Sequence, residues 1–456
     1  MISVLGIFII AFIIFYIIKN LKDEKLGKNL YFFSIISLLV LDIGYIAKIG
    51  TFAIEYNYLF SIVNMFFVIY YFVKNIREIN KKDIIVILIF FGVIFLSLLY
   101  PLIFNMQYHS VSFNDSWDLY FDAENELGEV GFSFFSLGIF ARLVIFILSF
   151  YVFSKNITKE DMKEYSKKLY KISWVVIGIS VLEFIITNFI NAFVFRKFAF
   201  FIFGASDSTY ILPRISFGNL YAPMAFMREP SSFVRALFIF ALNNLFLFKS
   251  DGNKKKKIVI MNIIALVLLI AFSKALSGYI YILALLFVVL NFITNTKIRI
   301  SVSVLIPIFI ICICLILPYR IMKVIESFNY FNMQPNELPR ESELIRFYSM
   351  SNNLKLFFKN FLIGCGFGTI YSYSSVVTLI TNIGGIGISV YLYTINYISN
   401  IAVKKQFFSW ITFITLFMTG LLIGHMSYIT YLETFAYQII IIKSLELLIK
   451  KEKKDE

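Results

Sequence analysis

The chain is 456 residues long, 59% hydrophobic and 19% aromatic, with only 15% charged residues and a formal net charge of +14. Its mean hydropathy of +0.82 excludes a water-soluble domain of this length and points to an all-α, polytopic integral membrane protein. The positive charge does not mark a nucleic-acid binder, because the basic residues stand in short clusters between apolar runs, where orientation in a bilayer accounts for them.

A helix that crosses a bilayer needs about 20 mostly apolar residues. On that rule the sequence predicts thirteen spans in one polytopic domain covering 1–456, at about 2–18, 29–47, 56–73, 84–104, 132–153, 172–194, 232–248, 258–272, 276–293, 301–318, 374–398, 407–424 and 428–449. The first run has no basic stretch before it and no small-residue cleavage site after it, so it is expected to be a retained helix rather than a signal peptide. Residues 258–293 read either as one bent hairpin broken at "AFSKALSG" or as two spans joined by a tight external turn. No internal repeat or second soluble domain is visible. Cys312, Cys314 and Cys365 offer neither a disulfide framework nor metal-ligand spacing, and His109 and His425 stand too far apart in sequence for a metal pair. No cofactor or metal is expected.

The charge pattern tests the count. If connections alternate sides, the set 19–28, 74–83, 154–171, 249–257, 294–300, 399–406 and the tail from Lys450 holds 27 of the 42 Lys and Arg residues, and the opposite set holds 12. Basic residues stay on the cytoplasmic side. The amino terminus is therefore expected outside and the carboxyl terminus inside a cytoplasmic membrane.

Three external loops are long: 105–131, 195–231 and 319–373. Loops of that length are usually functional or disordered, and the last two are too aromatic and apolar to be disordered. The first has no Lys or Arg and six acids, Asp115, Asp118, Asp122, Glu124, Glu126 and Glu129. It reads as a solvated acidic loop, or as a surface for sugar hydroxyls or a divalent cation. The second carries Arg196, Lys197, Arg214 and Arg228 against only Asp207 and Glu229. That external excess of cations needs a partner, and arginine's fork suits phosphate. Pro230 fits the first turn of a helix, Ser231 or Ser232 can cap it, and Glu229 stands at the positive end of its dipole.

Arg235 lies inside the following span and Arg142 deep in the fifth. Arginine at such positions is a functional-site signal by default; a pair between Arg142 and Glu183 is the competing reading. Lys274, in "AFSKALSG", either snorkels to the interface or offers a point charge to phosphate. In the third loop Pro339, Glu341 and Glu343 open a helix that Lys355 and Lys359 close. Leu344, Phe347, Leu354 and Phe358 give it an apolar face for lying on the membrane, with Arg340 and Arg346 at its start. Glu343 and Arg346 also form a plain i,i+3 pair. The turn "GCGFG" either presents backbone amides to an anion or is a glycine-rich lead into the next helix.

Taken in order, "RISFG" at Arg214–Gly218, "REPSSF" at Arg228–Phe233, "SKALSG" at Ser273–Gly278, "IRFY" at Ile345–Tyr348, "IGCGFG" at Ile363–Gly368 and "NIGGIG" at Asn382–Gly387 resemble the Wzy-type polysaccharide polymerases of the O-antigen ligase/polymerase superfamily. The resemblance covers roughly residues 200–390. It implies a GT-C-like membrane glycosyltransferase that joins oligosaccharide repeat units carried on undecaprenyl diphosphate, at the outer face of a bacterial cytoplasmic membrane. It further implies that Glu229, Arg228 and Arg214 act at the reacting centre, with Arg142, Arg235, Lys274, Arg340 and Arg346 binding the diphosphate. Lipid-linked donor and acceptor, membrane lipid, a flippase and a chain-length regulator are the implied partners. Two departures matter. "NLYAPMAFMR" separates "RISFG" from "EPS", which leaves the motif role open between Arg214 and Arg228. Residues 319–373 contain no histidine, and the ligase branch places one there. A ligase and a lipid-linked oligosaccharide flippase are the alternative readings.

Overall fold

The computed structural model describes residues 3–20, 25–41, 45–49, 52–75, 79–111, 127–204, 220–227, 230–250, 256–273, 275–292, 342–372, 374–404 and 432–455, together with Ile300 and Pro307. Over these residues the molecule is mostly helical. In chain order the helices are α1 (Val4–Asn20), α2 (Leu26–Val40), α3 (Tyr56–Lys74), α4 (Lys81–Ile103), α5 (Phe134–Asn156), α6 (Lys159–Ile185), α7 (Val194–Phe203), α8 (Pro230–Ser250), α9 (Lys256–Phe272), α10 (Leu276–Phe292), α11 (Ser342–Lys359), α12 (Ser375–Val403) and α13 (Leu432–Asp455). Five stretches are long and apolar enough to cross a membrane: Lys81–Ile103, Ser136–Asn156, Lys159–Ile190, Ser232–Ser250 and Val376–Val403. The expected spans 301–318, apart from Pro307, and 407–424 lie outside the described residues.

Local chemistry sets the helix starts. The Asn80 side chain accepts from the Lys82 amide at 2.9 Å to open α4. Thr158 and Asp161 form a reciprocal capping box at α6, and the Ser374 hydroxyl receives the Val377 amide at α12.

The structure corrects the sequence expectation in three places. The span 29–47 ends at Val40, and Tyr45–Ile49 (β1) pairs antiparallel with Phe52–Glu55 (β2). A run of tyrosine and isoleucine between Gly44 and Gly50 favours a short strand over the end of a helix. A second hairpin, Tyr108–Val111 (β3) with Leu127–Val130 (β4), lies at the base of the acidic loop. Much of the supposed loop 154–171 is helical from Lys159, supported by the capping box and a Glu164–Lys168 ion pair of 2.6 Å. In "AFSKALSG" the described residues favour the tight turn: α9 ends at Phe272 and α10 begins at Leu276.

Of the five membrane-length stretches among the described residues, Ser232–Ser250 of α8 is the most buried, at 89%. It is enclosed by α6, α9, α10 and α13. A second group, α4, α5 and α12, packs beside it, and α13 touches both α8 and α12. Outward-facing side chains such as Phe8, Leu88, Val175 and Met261 are large, apolar and exposed, a surface suited to hydrocarbon rather than water.

Polar contacts sort the helix ends. Lys28 Nζ reaches Asp161 Oδ2 at 2.6 Å and the Asn156 carbonyl at 3.0 Å. Asp83 accepts from Tyr151 Oη at 2.8 Å and Tyr397 Oη at 2.6 Å. These residues lie in or beside the connections that the charge alternation assigns to one side. At the other ends Ser110 Oγ meets Asn353 Oδ1 at 2.7 Å, Ser136 Oγ meets the Gly368 carbonyl at 2.8 Å and Tyr56 Oη meets the Phe203 carbonyl at 3.1 Å.

Candidate functional site

The mouth of α8 gathers two of the sequence motifs. Arg235 stands in the second turn, buried to 6% exposure, with Phe233 and Val234 fully buried beside it. The "SKALSG" turn presses on the same level. A Cβ placed on Gly278 would stand 3.2 Å from Val234 Cγ1, 3.2 Å from the Ile270 carbonyl and 3.0 Å from Ile270 Cγ2. A side chain here would crowd both α8 and α9, so glycine suits the close start of α10. Ser273 Oγ donates to the Ile270 carbonyl at 2.7 Å, which turns its hydroxyl back onto α9.

Residues 220–227 lead into that mouth, and three side chains grip them. Glu183 Oε2 accepts the amides of Met224 at 2.7 Å and Ala225 at 2.5 Å. Glu183 Oε1 faces Arg196 Nε at 3.0 Å, and Arg196 Nη1 donates to the Met227 carbonyl at 2.9 Å. Asn188 takes the Tyr221 amide at 2.7 Å and returns a hydrogen bond to the Tyr221 carbonyl at 3.1 Å. Glu183 and Arg196 are buried, at 2% and 0% exposure.

Two expectations change here. The partner found for Glu183 is Arg196 rather than Arg142, because the π turn Ile186–Ile190 ends the sixth helix and α7 carries Arg196 back over that end. Arg196 therefore does not belong to an excess of free external cation, since a buried carboxylate neutralises it.

A second assembly joins the two glycine-rich motifs. α12 breaks at Gly384, whose φ of 65° and ψ of −173° only glycine adopts readily. The break frees backbone groups, and the turn at Gly364–Gly366 takes them up. Cys365 N donates to the Thr381 carbonyl at 2.8 Å and Gly366 N to the Asn382 carbonyl at 3.0 Å; Gly385 N donates to the Phe361 carbonyl at 2.6 Å. The Asn382 side chain seals the joint. Its Oδ1 accepts from Ile370 N at 3.0 Å, and its Nδ2 donates to the Ile370 carbonyl at 2.7 Å and the Thr378 carbonyl at 2.8 Å. The amides of Gly364, Cys365 and Gly366 are thus all engaged by the chain itself, so this part of "GCGFG" is a packing joint and not an anion cradle.

α11 is helical over Ser342–Lys359, near the predicted bounds. Of its expected apolar residues, the side chains of Leu344 and Phe347 lie outside the described residues, Leu354 is half-buried and Phe358 is exposed, while Ser349, Ser351 and Asn353 are buried. Asn353 Nδ2 holds the Tyr371 carbonyl at 2.7 Å, and its own carbonyl accepts from Thr381 Oγ1 at 3.0 Å. Asn353 is buried with partners because the glycine joint offers it hydrogen bonds.

The expected site residues fall out as follows. Arg235 sits at the α8 mouth. Arg142 is half-buried on α5, on one stripe with buried Ile139, Leu143 and Phe146, on the helix whose Ser136 and Phe140 touch the glycine turn. Arg346 stands on α11, which packs on α12 and β3; its side chain lies outside the described residues, as do Arg214, Arg228, Glu229, Lys274 and Arg340 altogether. Among the described residues no group of three or more His, Cys, Asp or Glu could hold a metal ion.

Sequence reasoning also missed buried polar clusters. Asn244 Nδ2 meets Asn262 Oδ1 at 2.6 Å beside Ser173 and Asn243. Lys443 Nζ is held by Asn396 Oδ1 at 2.6 Å, Ser399 Oγ at 2.7 Å and Asn400 Oδ1 at 2.7 Å. The signal was present: amides and lysine inside apolar spans act as interhelical glue. A scan against protein-family models and a search of curated proteins both find no match to the chain.

Proposed function

We propose that this chain is a polysaccharide polymerase of the Wzy type, a membrane glycosyltransferase that joins oligosaccharide repeat units carried on a polyprenyl diphosphate. The observation that carries the reading is the mouth of α8, where "REPSSF" opens the most buried of the five membrane-length stretches among the described residues and the "SKALSG" turn packs against Val234, next to buried Arg235. Two motifs far apart in sequence thereby share one helix end. The joint between "IGCGFG" and "NIGGIG" supports the reading as a second pairing of motif segments.

In this reading an acceptor hydroxyl oxygen attacks the anomeric carbon of the donor's first sugar. The bond from that carbon to the diphosphate oxygen breaks, and the bonding pair leaves with the diphosphate. Arg228, Arg214 and Arg235, with Lys274, stabilise the charge that develops there, which preorganised cations in a low-dielectric site do far better than water. Arg142, Arg340 and Arg346 extend the cationic track along the diphosphate and first sugar. Glu229 takes the acceptor proton or holds an arginine in place. The cations supply the electrostatic stabilisation, so the reading calls for no metal and no cofactor.

The thirteen-span layout, with the amino terminus outside and the carboxyl terminus in the cytoplasm, belongs to this proposal. So does placement in a bacterial cytoplasmic membrane beside a flippase and a chain-length regulator. The test is to reconstitute the purified chain with polyprenyl-diphosphate-linked oligosaccharide and follow product length. Lengthening of lipid-linked glycan supports polymerisation. Transfer only to a different acceptor makes the chain a ligase, and movement of intact lipid between leaflets without new glycosidic bonds makes it a flippase.

A further inference from the structure

Residues 221–227, part of the connection between α7 and α8, are met by an unusual amount of buried polar hardware. Glu183, Asn188 and Arg196 come from the end of α6, the π turn and α7, and all three aim at this one backbone segment. Together they engage the amides of Tyr221, Met224 and Ala225 and the carbonyls of Tyr221 and Met227. Ala225 is held in the left-handed region at φ 48°, a conformation a non-glycine residue adopts only when its surroundings impose it.

A buried ion pair is weak evidence for stability, since well-packed apolar residues serve that purpose as well or better. Here both partners have a second occupation: each also binds backbone that leads to the mouth of α8. The π turn that ends α6 carries Asn188 toward the same segment.

We infer that Glu183, Asn188 and Arg196 are positioning residues, a three-point clamp that fixes segment 221–227 and thereby sets how the chain enters α8, where Arg235 is buried. The inference deepens the proposed function, on which its catalytic half rests, while its structural half stands alone. The clamp holds the segment that precedes the "REPSS" motif in one register, so the cations of the mouth keep a fixed geometry toward the leaving diphosphate. Loss of the clamp lowers turnover more than donor affinity, because misplacement harms the transition state more than ground-state binding.

Two variants release the segment by independent routes. Glu183→Leu/Arg196→Met removes both buried charges together with every hydrogen bond they make to the segment, and Asn188→Ala frees Tyr221 without stranding a charge. Amide hydrogen exchange on the full-length protein in lipid nanodiscs reads the clamp directly, and transfer kinetics with polyprenyl-diphosphate-linked oligosaccharide read its consequence. Exchange across 221–227 should quicken at least about tenfold in both variants while α8, α9 and α10 stay protected. kcat should fall at least about tenfold with KM for the donor changed less than about threefold.

Unchanged exchange in 221–227 overturns the clamp. Faster exchange throughout the chain in both variants makes the three residues a general structural support and overturns the positioning role. Faster local exchange with unaltered kcat overturns the link to the mouth. If the wild-type chain transfers no sugar, the proposed function fails by itself, and the positioning of the α8 mouth stands or falls on the exchange data.

Discussion

At the scale of single residues, its partners decide what a buried charge does. Arg196, near the mouth of α8, is neutralised by Glu183 and bound to the Met227 carbonyl. Glu183→Ala alone should cost at least about 3–5 kcal/mol by stranding a buried guanidinium and the amides of Met224 and Ala225, whereas Glu183→Gln combined with Arg196→Met, which removes both charges and keeps an acceptor for those amides, should recover most of that loss. Thermal unfolding of the two variants beside the wild type in one detergent checks this; equal losses in the two variants would refute the pair. Arg235→Lys keeps a charge but loses the fork. Under the proposed function it should retain partial transfer where Arg235→Ala abolishes it, with protein levels equal. Burial also pushes the Cys365 thiol up to about 12, partly offset by hydrogen bonds with Asn360 and Tyr108. Maleimide should label Cys365 in the native protein at pH 7.5 far more slowly than after denaturation, because a buried, protonated thiol is a poor nucleophile.

At the scale of elements, the break in α12 is specified by backbone, not by side-chain attraction. A Cβ on Gly384 would stand 2.5 Å from Gly364 N and 2.5 Å from the Leu362 carbonyl, and one on Gly364 would stand 2.5 Å from the Asn382 carbonyl. Gly384→Ala should therefore destabilise by more than the roughly 1–3 kcal/mol of the strained φ and ψ alone. Gly178 lies within α6 with nothing within 4 Å of its missing Cβ, so Gly178→Ala should be neutral or stabilising by up to about 1 kcal/mol. Side-by-side thermal melts of the two alanine variants decide it. A harmless Gly384→Ala would mean that the α12 break and the "GCGFG" turn do not meet as described. "GCGFG" was legible in the sequence as a glycine-rich turn, whereas "NIGGIG" lay within the expected span 374–398. That they are halves of one joint was not legible, because a hydrogen bond between Cys365 and Thr381 leaves no trace in the local composition of either.

At the scale of the whole molecule, the charge alternation makes a statement about sides. Lys28, Asp83, Tyr151, Asp161 and Tyr397 meet through contacts at helix ends, which places several of the lysine-rich connections together. Under the proposed orientation, cysteines introduced at Lys255 and Lys404 should be protected from impermeant maleimide in intact cells, and cysteines at Asn114, Ser208 and Asn336 should react. A background lacking the three native cysteines keeps the reading clean. Labelling at Lys255 from outside would overturn the thirteen-span layout.

The sequence alone determined the class of molecule, the placement of most of its described helices and the ends that lie together. These follow from hydropathy summed over about 20 residues and from the charge between such runs, both of which are local and additive. It also exposed Arg142 and Arg235 as costly positions. It did not reveal that Tyr45–Ile49 is a strand, that Asn353 of α11 joins Tyr371 and Thr381, or that Glu183 belongs to Arg196. Each of these depends on which segments the fold brings within about 3 Å of one another. A carboxylate in a span must find a partner, but only the path of the chain past the π turn at Ile186–Ile190 decides that the partner is thirteen residues away on α7. Tertiary structure therefore decided the pairing of polar groups, because burial makes every donor and acceptor compulsory to satisfy and leaves the choice of mate to geometry.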